Sequence, residues 1–160
     1  MELGDGGDLA EVGRPAFVDA GDFVGHNFSV DVFEPAVETA QIADRVVTVL
    51  GDLRSRDLRA AHIPSSVPIR VTENGWPTGN NPFTETTRTV EQQAINIDAL
   101  VHAVHGSAAD AHVTHYMLFG LRDADSSKRD LFHQFGIMRD DYTPKPAYDT
   151  FRSLIRELGR

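Results

Sequence analysis

Apolar residues recur along this chain with two different periods, which predicts alternating strands and helices. Three segments have the alternation or the composition of strands, and they span 23–33, 69–73 and 112–119. Three longer segments have helical spacing, and we expect these helices to begin near Pro35, Thr86 and Pro146. A proline suits the first turn of a helix, and threonine is a good N-cap residue.

The connections between these elements are polar or contain helix breakers. The first predicted helix extends to about Ala61, and Gly51 is expected to weaken or kink it because glycine is a poor helix former. A loop rich in Gly, Pro, Asn and Thr spans 74–86, and a second polar loop spans 120–130. A short extended piece is predicted over 132–138.

Three repeats of strand followed by helix are typical of α/β proteins, whose parallel strands are joined by right-handed crossovers. Ligands of such sheets bind at the carboxyl ends of the strands. The loops expected at that edge are 29–35, 73–86 and 119–130. We therefore predict that the functional site lies among these three loops.

Composition excludes several functions. Fifteen basic residues stand against 24 acidic ones, and the formal charge of −9 argues against binding to nucleic acid or anionic membranes. The absence of cysteine excludes disulfides, thiolate zinc sites and cysteine nucleophiles. Residues 1–21 are expected to form a flexible segment that lacks the features of a secretory signal. We thus expect a cytoplasmic protein, or a secreted one if an N-terminal portion is missing.

Glu73 is the candidate catalytic residue because it ends the second predicted strand and is followed closely by Trp76. A carboxylate can stabilise an oxocarbenium-like transition state, and an aromatic ring can stack on a sugar. Asn74, between them, could bond a sugar hydroxyl. The alternatives are that Glu73 is a solvated surface acid, Trp76 a core residue that locks the loop, and Asn74 a turn residue.

Residues 71–79, Val-Thr-Glu-Asn-Gly-Trp-Pro-Thr-Gly, resemble the seventh strand of the retaining (β/α)₈-barrel glycosidases, clan A of the glycoside hydrolases. The glutamate of that strand is the nucleophile in the clan, a role that the resemblance gives to Glu73. Segments 24–33 and 116–125 resemble the sixth and eighth strands, and 135–148 resembles the stretch before the last helix. The resemblance implies that residues 22–160 are the C-terminal part of a TIM barrel.

The acid/base residue of the clan follows an asparagine on the fourth strand, and no Asn-Glu pair occurs in this sequence. A retaining mechanism needs a second acid about 5–5.5 Å from the nucleophile. Glu34, Asp123 and Asp125 are candidates because they lie near predicted strand ends. We expect this chain alone to be weak or inactive, and its open strand edges to pair with a second copy or with a missing N-terminal half.

Further candidates for substrate binding lie on the two outer strands and in the last loop. His26 and Asn27 would be polar pocket residues, although His26 could instead be hydrogen-bonded inside the barrel. Phe119 would stack on a sugar or simply pack. Arg122 and Asp123 would contact substrate, but we favour a structural ion pair between them that braces the loop.

Metal binding is not predicted. His102 and His105 could share a helical face, but His112 and His115 are three residues apart in a predicted strand and would point to opposite faces. The acidic loop after 122 carries Lys128 where a calcium-binding EF-hand requires glycine. We predict no cofactor and a carbohydrate as the ligand.

Two other functions remain open. A non-catalytic carbohydrate-binding or interaction domain derived from a glycosidase would explain the missing acid. A flavodoxin-like domain would need a phosphate loop rich in Gly, Ser or Thr after the first strand, and residues 31–35, Asp-Val-Phe-Glu-Pro, do not resemble one.

Overall fold

The main sheet consists of three parallel strands. The computed structural model describes residue 18 and residues 20–30 and 37–159. The sheet has the order β1, β2, β5, and its strands are Val24–Asn27, Ile69–Asn74 and Val113–Leu118. Both pairs of neighbours are parallel, which confirms the predicted alternation of strand and helix. The central strand is β2, so the strand that carries Glu73 is supported on both sides.

The helices follow the predicted order with different limits. The α-helices are α1 Ile42–Asp52, α2 Leu58–Ala60, α3 Val90–Gly106, α4 Ala108–Ala111 and α5 Pro146–Leu158. Two single turns of 3₁₀-helix cover Thr39–Gln41 and Leu131–His133. The last helix begins at Pro146 as predicted, since the missing N–H of proline would have no partner in the first helical turn.

The first helical segment is interrupted later than predicted. Gly51 lies within α1, and the irregularity is the π-helical turn Leu53–Asp57 that follows. Within this turn, the guanidinium of Arg54 donates to the carbonyl oxygens of Ala111 and Val67 at 3.0 and 2.9 Å. The predicted start at Pro35 lies outside the described residues, as do residues 1–17 and 19 of the predicted flexible segment.

The prediction that Thr86 caps the second long helix is wrong, because residues 86–88 form a strand. Gly79–Asn81 (β3) and Thr86–Arg88 (β4) pair as an antiparallel hairpin inside the segment predicted to be a loop. The N-cap is Thr89, whose hydroxyl accepts the N–H of Gln92 at 3.2 Å while the Gln92 side chain accepts the Thr89 N–H at 2.9 Å. This reciprocal capping box satisfies two donors at the start of α3.

Other limits also differ. The first strand ends at Asn27 rather than at 33, and residues 31–36 lie outside the described part. His112 is not in a strand but adopts a left-handed conformation before β5. The extended piece predicted over 132–138 is not a strand. It begins in a 3₁₀ turn, and Met138 is its one residue with β-bridges, which it forms with Arg122 and Pro144.

One face of the main sheet is covered by helices, with α3 packed against both α1 and α5. The core between the sheet and the helices contains fully buried aliphatic side chains, among them Ile42, Val46, Leu50, Ile69, Val71, Ile97, Leu100 and Leu154. Burial of such a side chain stabilises the fold by roughly 1.5–3 kcal/mol. The opposite face is open: Gly25, Asn27, His115 and Met117 are exposed on it, and Met117 is 60% exposed.

Candidate functional site

Glu73 lies near the carboxyl end of the central strand and is exposed. The alternation of buried and half-buried residues along β2 changes here: Ile69 and Val71 are buried, but the next buried residue is Asn74 rather than Glu73. The pairing explains the change, because His26 lies opposite Val71 whereas Asn27 lies opposite Glu73. One additional residue in β2 therefore forms a β-bulge, which redirects the side chains that follow it.

The bulge gives the open face a group of polar side chains at the rim. The Thr72 hydroxyl donates to Asn27 Oδ1, so these residues of neighbouring strands share one face. Glu73 is exposed beside them, and its partner across the pair is Asn27. A carboxylate, an amide and a hydroxyl thus lie together at the carboxyl edge of the sheet, where an α/β site is expected.

Asn74 has a structural position and does not face the rim. It is 2% exposed; its Nδ2 donates to the carbonyl oxygen of Phe28 at 2.9 Å, and its Oδ1 accepts the Tyr116 hydroxyl at 2.9 Å. The side chain therefore links β2 to β5 and to the residue after β1. Burial explains why the prediction of a sugar contact for Asn74 does not fit: its amide is engaged within the protein.

Trp76 is also buried, at 4% exposure, and belongs to the hydrophobic core. The Arg88 guanidinium lies 5.1 Å from the centre of its ring, and Gln93 Nε2 donates to its carbonyl oxygen at 2.9 Å. The prediction of Trp76 as an open sugar platform does not fit this burial, since its ring faces have protein neighbours. The alternative of a core residue that fixes the loop agrees with the contacts.

Phe119 follows β5 and is 45% exposed. Its ring makes an edge contact with Phe135, with centroids 5.3 Å apart. Its backbone N–H donates to the carbonyl oxygen of Asn74 at 2.8 Å, and its peptide bond to Gly120 is cis. Phe119 is therefore an aromatic ring fixed next to the end of β2 with part of its surface available.

His26 and Asn27 lie on opposite faces of β1, so they do not line one pocket as predicted. His26 is half-buried on the face of Val24, and its ring stacks on Phe28 with centroids 5.4 Å apart. Its Nε2 is buried, with no hydrogen-bond partner in the described residues. Burial lowers the pKa of His26, against a smaller opposing effect of Asp57. The imidazole therefore favours its neutral form.

The predicted ion pair between Arg122 and Asp123 is wrong, because the two side chains have other partners. Asp123 is 1% exposed and accepts hydrogen bonds from Lys145 Nζ at 2.8 Å, the Gly136 N–H at 2.9 Å and the Ser126 hydroxyl at 2.9 Å. Every oxygen of this carboxylate is engaged inside the loop. Its burial does not fit a substrate contact or the second acid of a glycosidase.

Arg122 is exposed on the outside of the same loop. Its NH1 donates to the carbonyl oxygen of Asp140 at 2.8 Å, and its guanidinium lies 5.2 Å from the centre of the Tyr142 ring. These contacts fasten two turns of the C-terminal loop to each other. Arg122 therefore has a structural contact in this loop, but with Asp140 and Tyr142 and not with Asp123 as predicted.

Neither of the other two candidates for the second acid, Asp125 and Glu34, gains support as a proton donor. Asp125 is half-buried, and hydrogen bonds from the hydroxyl and N–H of Ser127 lower its pKa. A carboxyl with a lowered pKa is a poor proton donor at neutral pH. Glu34 lies outside the described residues.

Within residues 20–30 and 37–159, no group of three or more His, Asp and Glu side chains could hold a metal ion. His102 pairs with Asp98 and Glu157 between two helices, and His112 Nδ1 lies 3.0 Å from the carbonyl oxygen of Ser65. None of the helices in this part of the chain is long and apolar enough to cross a membrane.

Sequence reasoning missed two residues that hold the loops around Glu73. Gln93 is fully buried, and its Nε2 donates to the carbonyl oxygens of Trp76 and Gly136 at 2.9 and 3.0 Å. Lys145 is 3% exposed and contacts Asp123 and Thr78. A polar residue one turn before Ile97 on the apolar face of α3 was a detectable signal for Gln93. Lys145, between two prolines, offered none.

Comparison with known proteins identifies the fold. No protein-family profile matches the chain, and no curated protein does. Among solved structures, an active-site mutant of the Rhizomucor miehei β-1,3-glucanosyltransferase in complex with laminaritriose matches 90% of this chain with a TM-score of 0.59 and 17% identity. A GH2 β-galacturonidase from Eisenbergiella tayi matches 90% with a TM-score of 0.65 and 16% identity. A β-glucuronidase from an uncultured Clostridium sp. matches 85% with a TM-score of 0.58 and 22% identity.

At these identities the likeness shows a shared fold. The chain is a mixed α/β structure with a parallel sheet, similar to domains of carbohydrate-active enzymes. It spans 57% of the glucanosyltransferase chain, 25% of the galacturonidase and 23% of the glucuronidase.

Proposed function

We propose that this chain is the C-terminal part of a (β/α)₈-barrel glycoside hydrolase that cleaves β-linked glycosides by a retaining double displacement, with Glu73 as nucleophile. One observation carries the proposal: an exposed carboxylate, turned to the open face by a bulge, lies at the carboxyl end of the central parallel strand. The shared fold with solved carbohydrate-active enzymes supports it.

In this mechanism Glu73 attacks the anomeric carbon of the sugar while the bond to the leaving oxygen breaks, and a glycosyl ester forms on the enzyme. A second carboxylic acid donates its proton to the leaving oxygen. The same group, now a carboxylate, then takes a proton from water, which attacks the anomeric carbon and releases Glu73. Two inversions retain the configuration of the sugar.

The proposed substrate contacts are Asn27 at the end of β1 and Phe119 directly after β5, the two strands on either side of β2. The Asn27 amide could bond a sugar hydroxyl, and the half-exposed ring of Phe119 could stack on an apolar sugar face. Because Asp123 is buried and the pKa of Asp125 is lowered, the second acid is assigned to a group outside the described residues. The chain alone should therefore turn over unactivated glycosides weakly or not at all.

A mechanism-based inactivator with a good leaving group tests the nucleophile without needing the acid. In a 2-deoxy-2-fluoro-β-glycosyl fluoride the anomeric fluoride departs without protonation as the carboxylate attacks, so formation of the ester does not need the second acid. The protein is incubated separately with the gluco, galacto and glucurono forms of this reagent. Mass spectrometry of the peptide that contains residues 71–79 should then show one covalent sugar on Glu73.

Glu73→Gln is the control, and it should abolish labelling without loss of stability because the side chain is exposed. Labelling of another carboxylate, or equal labelling of Glu73→Gln, would overturn the assignment. Complete resistance to all three reagents would also reject it.

A non-catalytic carbohydrate-binding role is the second candidate. It is favoured by the observation that Asp123, a carboxylate near the rim, is fully engaged inside the protein. Saccharide binding detected by calorimetry, together with a lack of labelling at Glu73, would select this function over catalysis.

A further inference from the structure

We propose that the β3–β4 hairpin and the 3₁₀ turn Leu131–His133 form a saccharide-binding subsite in addition to the rim around Glu73. A cavity of about 470 Å³ lies between the hairpin and Arg129 and Asp130, the two residues that lead into this turn, and its volume is within the roughly 300–1,000 Å³ typical of small-molecule sites. Polar side chains border it together with Pro82, although most of its surface is apolar; the polar residues are Asn80, Asn81, Glu85, Thr87, Arg129 and Asp130. The choice of saccharide as the ligand rests on the proposed function.

Two exposed aromatic rings stand next to this cavity. Phe83 is 56% exposed and Phe132 is 46% exposed, and the two rings meet edge to face with centroids 6.1 Å apart. Single exposed apolar residues are common, but two in contact on a polar surface suggest an interaction site. Each ring has an apolar face, and polar groups lie beside the pair, which is the combination that a sugar ring can use.

The cavity residues fix the backbone that carries the two rings. Asn81 Oδ1 accepts the backbone N–H of Phe83 at 2.8 Å, and Asp130 Oδ1 accepts the backbone N–H of Phe132 at 2.7 Å. The hairpin is tied to the turn, because the N–H of Asn80 donates to the carbonyl oxygen of Arg129 at 2.6 Å. The surface is therefore preorganised, which lowers the entropic cost of binding.

One residue of the cavity is held in a strained conformation. Glu85 has φ +55°, in the left-handed region that disfavours a side chain. Such strain persists where the surrounding structure maintains it, and it concentrates at functional sites. Glycine would adopt this φ angle without strain, so a glutamate at this position costs stability.

The charges of the cavity favour a neutral sugar. Glu85 and Asp130 are acidic, and Arg129 is the basic residue of the lining, which leaves a net charge of about −1. Carboxylates and amides accept or donate hydrogen bonds to hydroxyl groups, whereas a second negative charge on the ligand would be repelled.

Titration of the ¹⁵N-labelled full chain with laminaritriose, cellotriose and trigalacturonic acid tests the subsite. We expect the amide signals of residues 79–87 and 129–132 to shift with the two neutral trisaccharides, and to shift less with the acidic one. Phe83→Ala and Phe132→Ala should each weaken binding roughly three- to tenfold, the loss expected for one aromatic contact. Phe23→Ala, at the other end of the sheet and 42% exposed, is the matched control and should bind normally.

Glu85→Gly separates binding from folding. Removing the side chain relieves the left-handed strain, so this variant should melt no lower than the parent protein while its affinity for the neutral trisaccharides falls. Shifts confined to other residues, unchanged affinity of both phenylalanine variants, or no shifts with any of the three sugars would overturn the proposal.

The outcome is independent of the chemistry at Glu73. Glu73→Gln should retain the hairpin shifts even though it cannot form the glycosyl ester. Labelled Glu73 without hairpin shifts would reject the subsite alone, and hairpin shifts without labelled Glu73 would reject the nucleophile alone.

Discussion

The carbonyl oxygen of Phe119 lies 1.9 Å from the position that a Cβ atom on Gly75 would occupy. The same two loops are joined by the hydrogen bond from the Phe119 N–H to the carbonyl oxygen of Asn74 at 2.8 Å. Gly75 is therefore required by close approach of two backbones and not by an unusual φ angle. This contact joins the ends of β2 and β5 directly after Glu73.

Replacing Gly75 with alanine should destabilise the protein and displace Glu73. The new methyl group meets backbone rather than a movable side chain, so relief requires one loop to shift, and overpacking of this kind costs about 1–3 kcal/mol or more. We expect a lower midpoint of urea unfolding and slower labelling of Glu73 by the fluorosugar, since small displacements reduce the reactivity of a positioned group.

Gly51→Ala is the matched control because nothing lies within 4 Å of the Cβ that it would gain. Gly51 is inside α1, where alanine is a better helix former by up to about 1 kcal/mol. This variant should be as stable as the parent or more so. Equal destabilisation by both substitutions would show that the contact with Phe119 is not the cause.

The hydroxyl of Tyr116 should contribute measurably to stability. It donates to Asn74 Oδ1 at 2.9 Å, and burial raises the pKa of Tyr116, so it remains a donor throughout the physiological range. Tyr116→Phe leaves a buried acceptor without this donor, which costs about 1–3 kcal/mol. Thermal unfolding followed by circular dichroism would measure the loss.

Tyr142→Phe provides the comparison. Tyr142 is 61% exposed and stacks with Arg122 through its ring, which phenylalanine keeps. This substitution should change the free energy of unfolding by no more than about 0.5 kcal/mol, as most surface substitutions do. If the two variants lose the same stability, the hydrogen bond from Tyr116 to Asn74 does not contribute measurably to the stability of the fold.

The regular elements could be predicted from sequence because they depend on local periodicity. The apolar spacing of α5 predicted the helix; of its apolar residues Ala147 and Leu154 are buried, whereas Ile155 is 55% exposed. Parallel pairing followed from the order of elements. The strand that bears Glu73 could also be predicted, because its short length, its β-branched residues and the flanking Pro68 and Gly75 favour a strand over a helix.

The candidate site could be predicted only in part, because the direction of its side chains depends on non-local pairing. A single bulge opposite Asn27 turned Glu73 outwards and Asn74 inwards, and no pattern within β2 reveals an extra residue. The role of Trp76 depends on Arg88 and Gln93, which are 12 and 17 residues further along the chain. The hairpin was hidden for a similar reason, because threonine suits both a strand and an N-cap.

The buried ion pair between Lys145 and Asp123 should be essential to the loop that follows β5. Their side chains are 1% and 0% exposed, and Nζ lies 2.8 Å from Oδ1. Asp123→Asn would leave the ammonium group without its counter-charge, and breaking such a pair from one side costs about 3–5 kcal/mol. The midpoint of urea unfolding should fall accordingly.

The double variant Asp123→Asn with Lys145→Met separates charge from packing. Removing both charges avoids a lone buried ion, so the double variant should be more stable than Asp123→Asn alone. If the stability losses of the two single substitutions simply add in the double variant, this prediction is wrong, because losses add at independent sites but not at two residues that interact.

His102 should make the docking of α3 on α5 depend on pH. Its Nδ1 lies 3.0 Å from the carbonyl oxygen of Asp98, and its Nε2 lies 3.6 Å from Glu157 Oε1 on α5. The carbonyl of Asp98, followed by the carboxylates of Asp98 and Glu157, raises the pKa of His102. The folded state therefore binds this proton more tightly than the unfolded state does.

The stability contributed by His102 is fully present below the unfolded-state pKa of about 6.5 and is lost as the pH rises through the higher folded-state pKa. His26 acts in the opposite direction, because burial lowers its pKa and its contribution is lost as the pH falls. Comparing the parent with His102→Gln cancels the effect of His26. The stability difference should be largest near pH 5.5 and vanish near pH 8.5, and Glu157→Gln should reduce it. A difference that is constant with pH would contradict the proposed linkage.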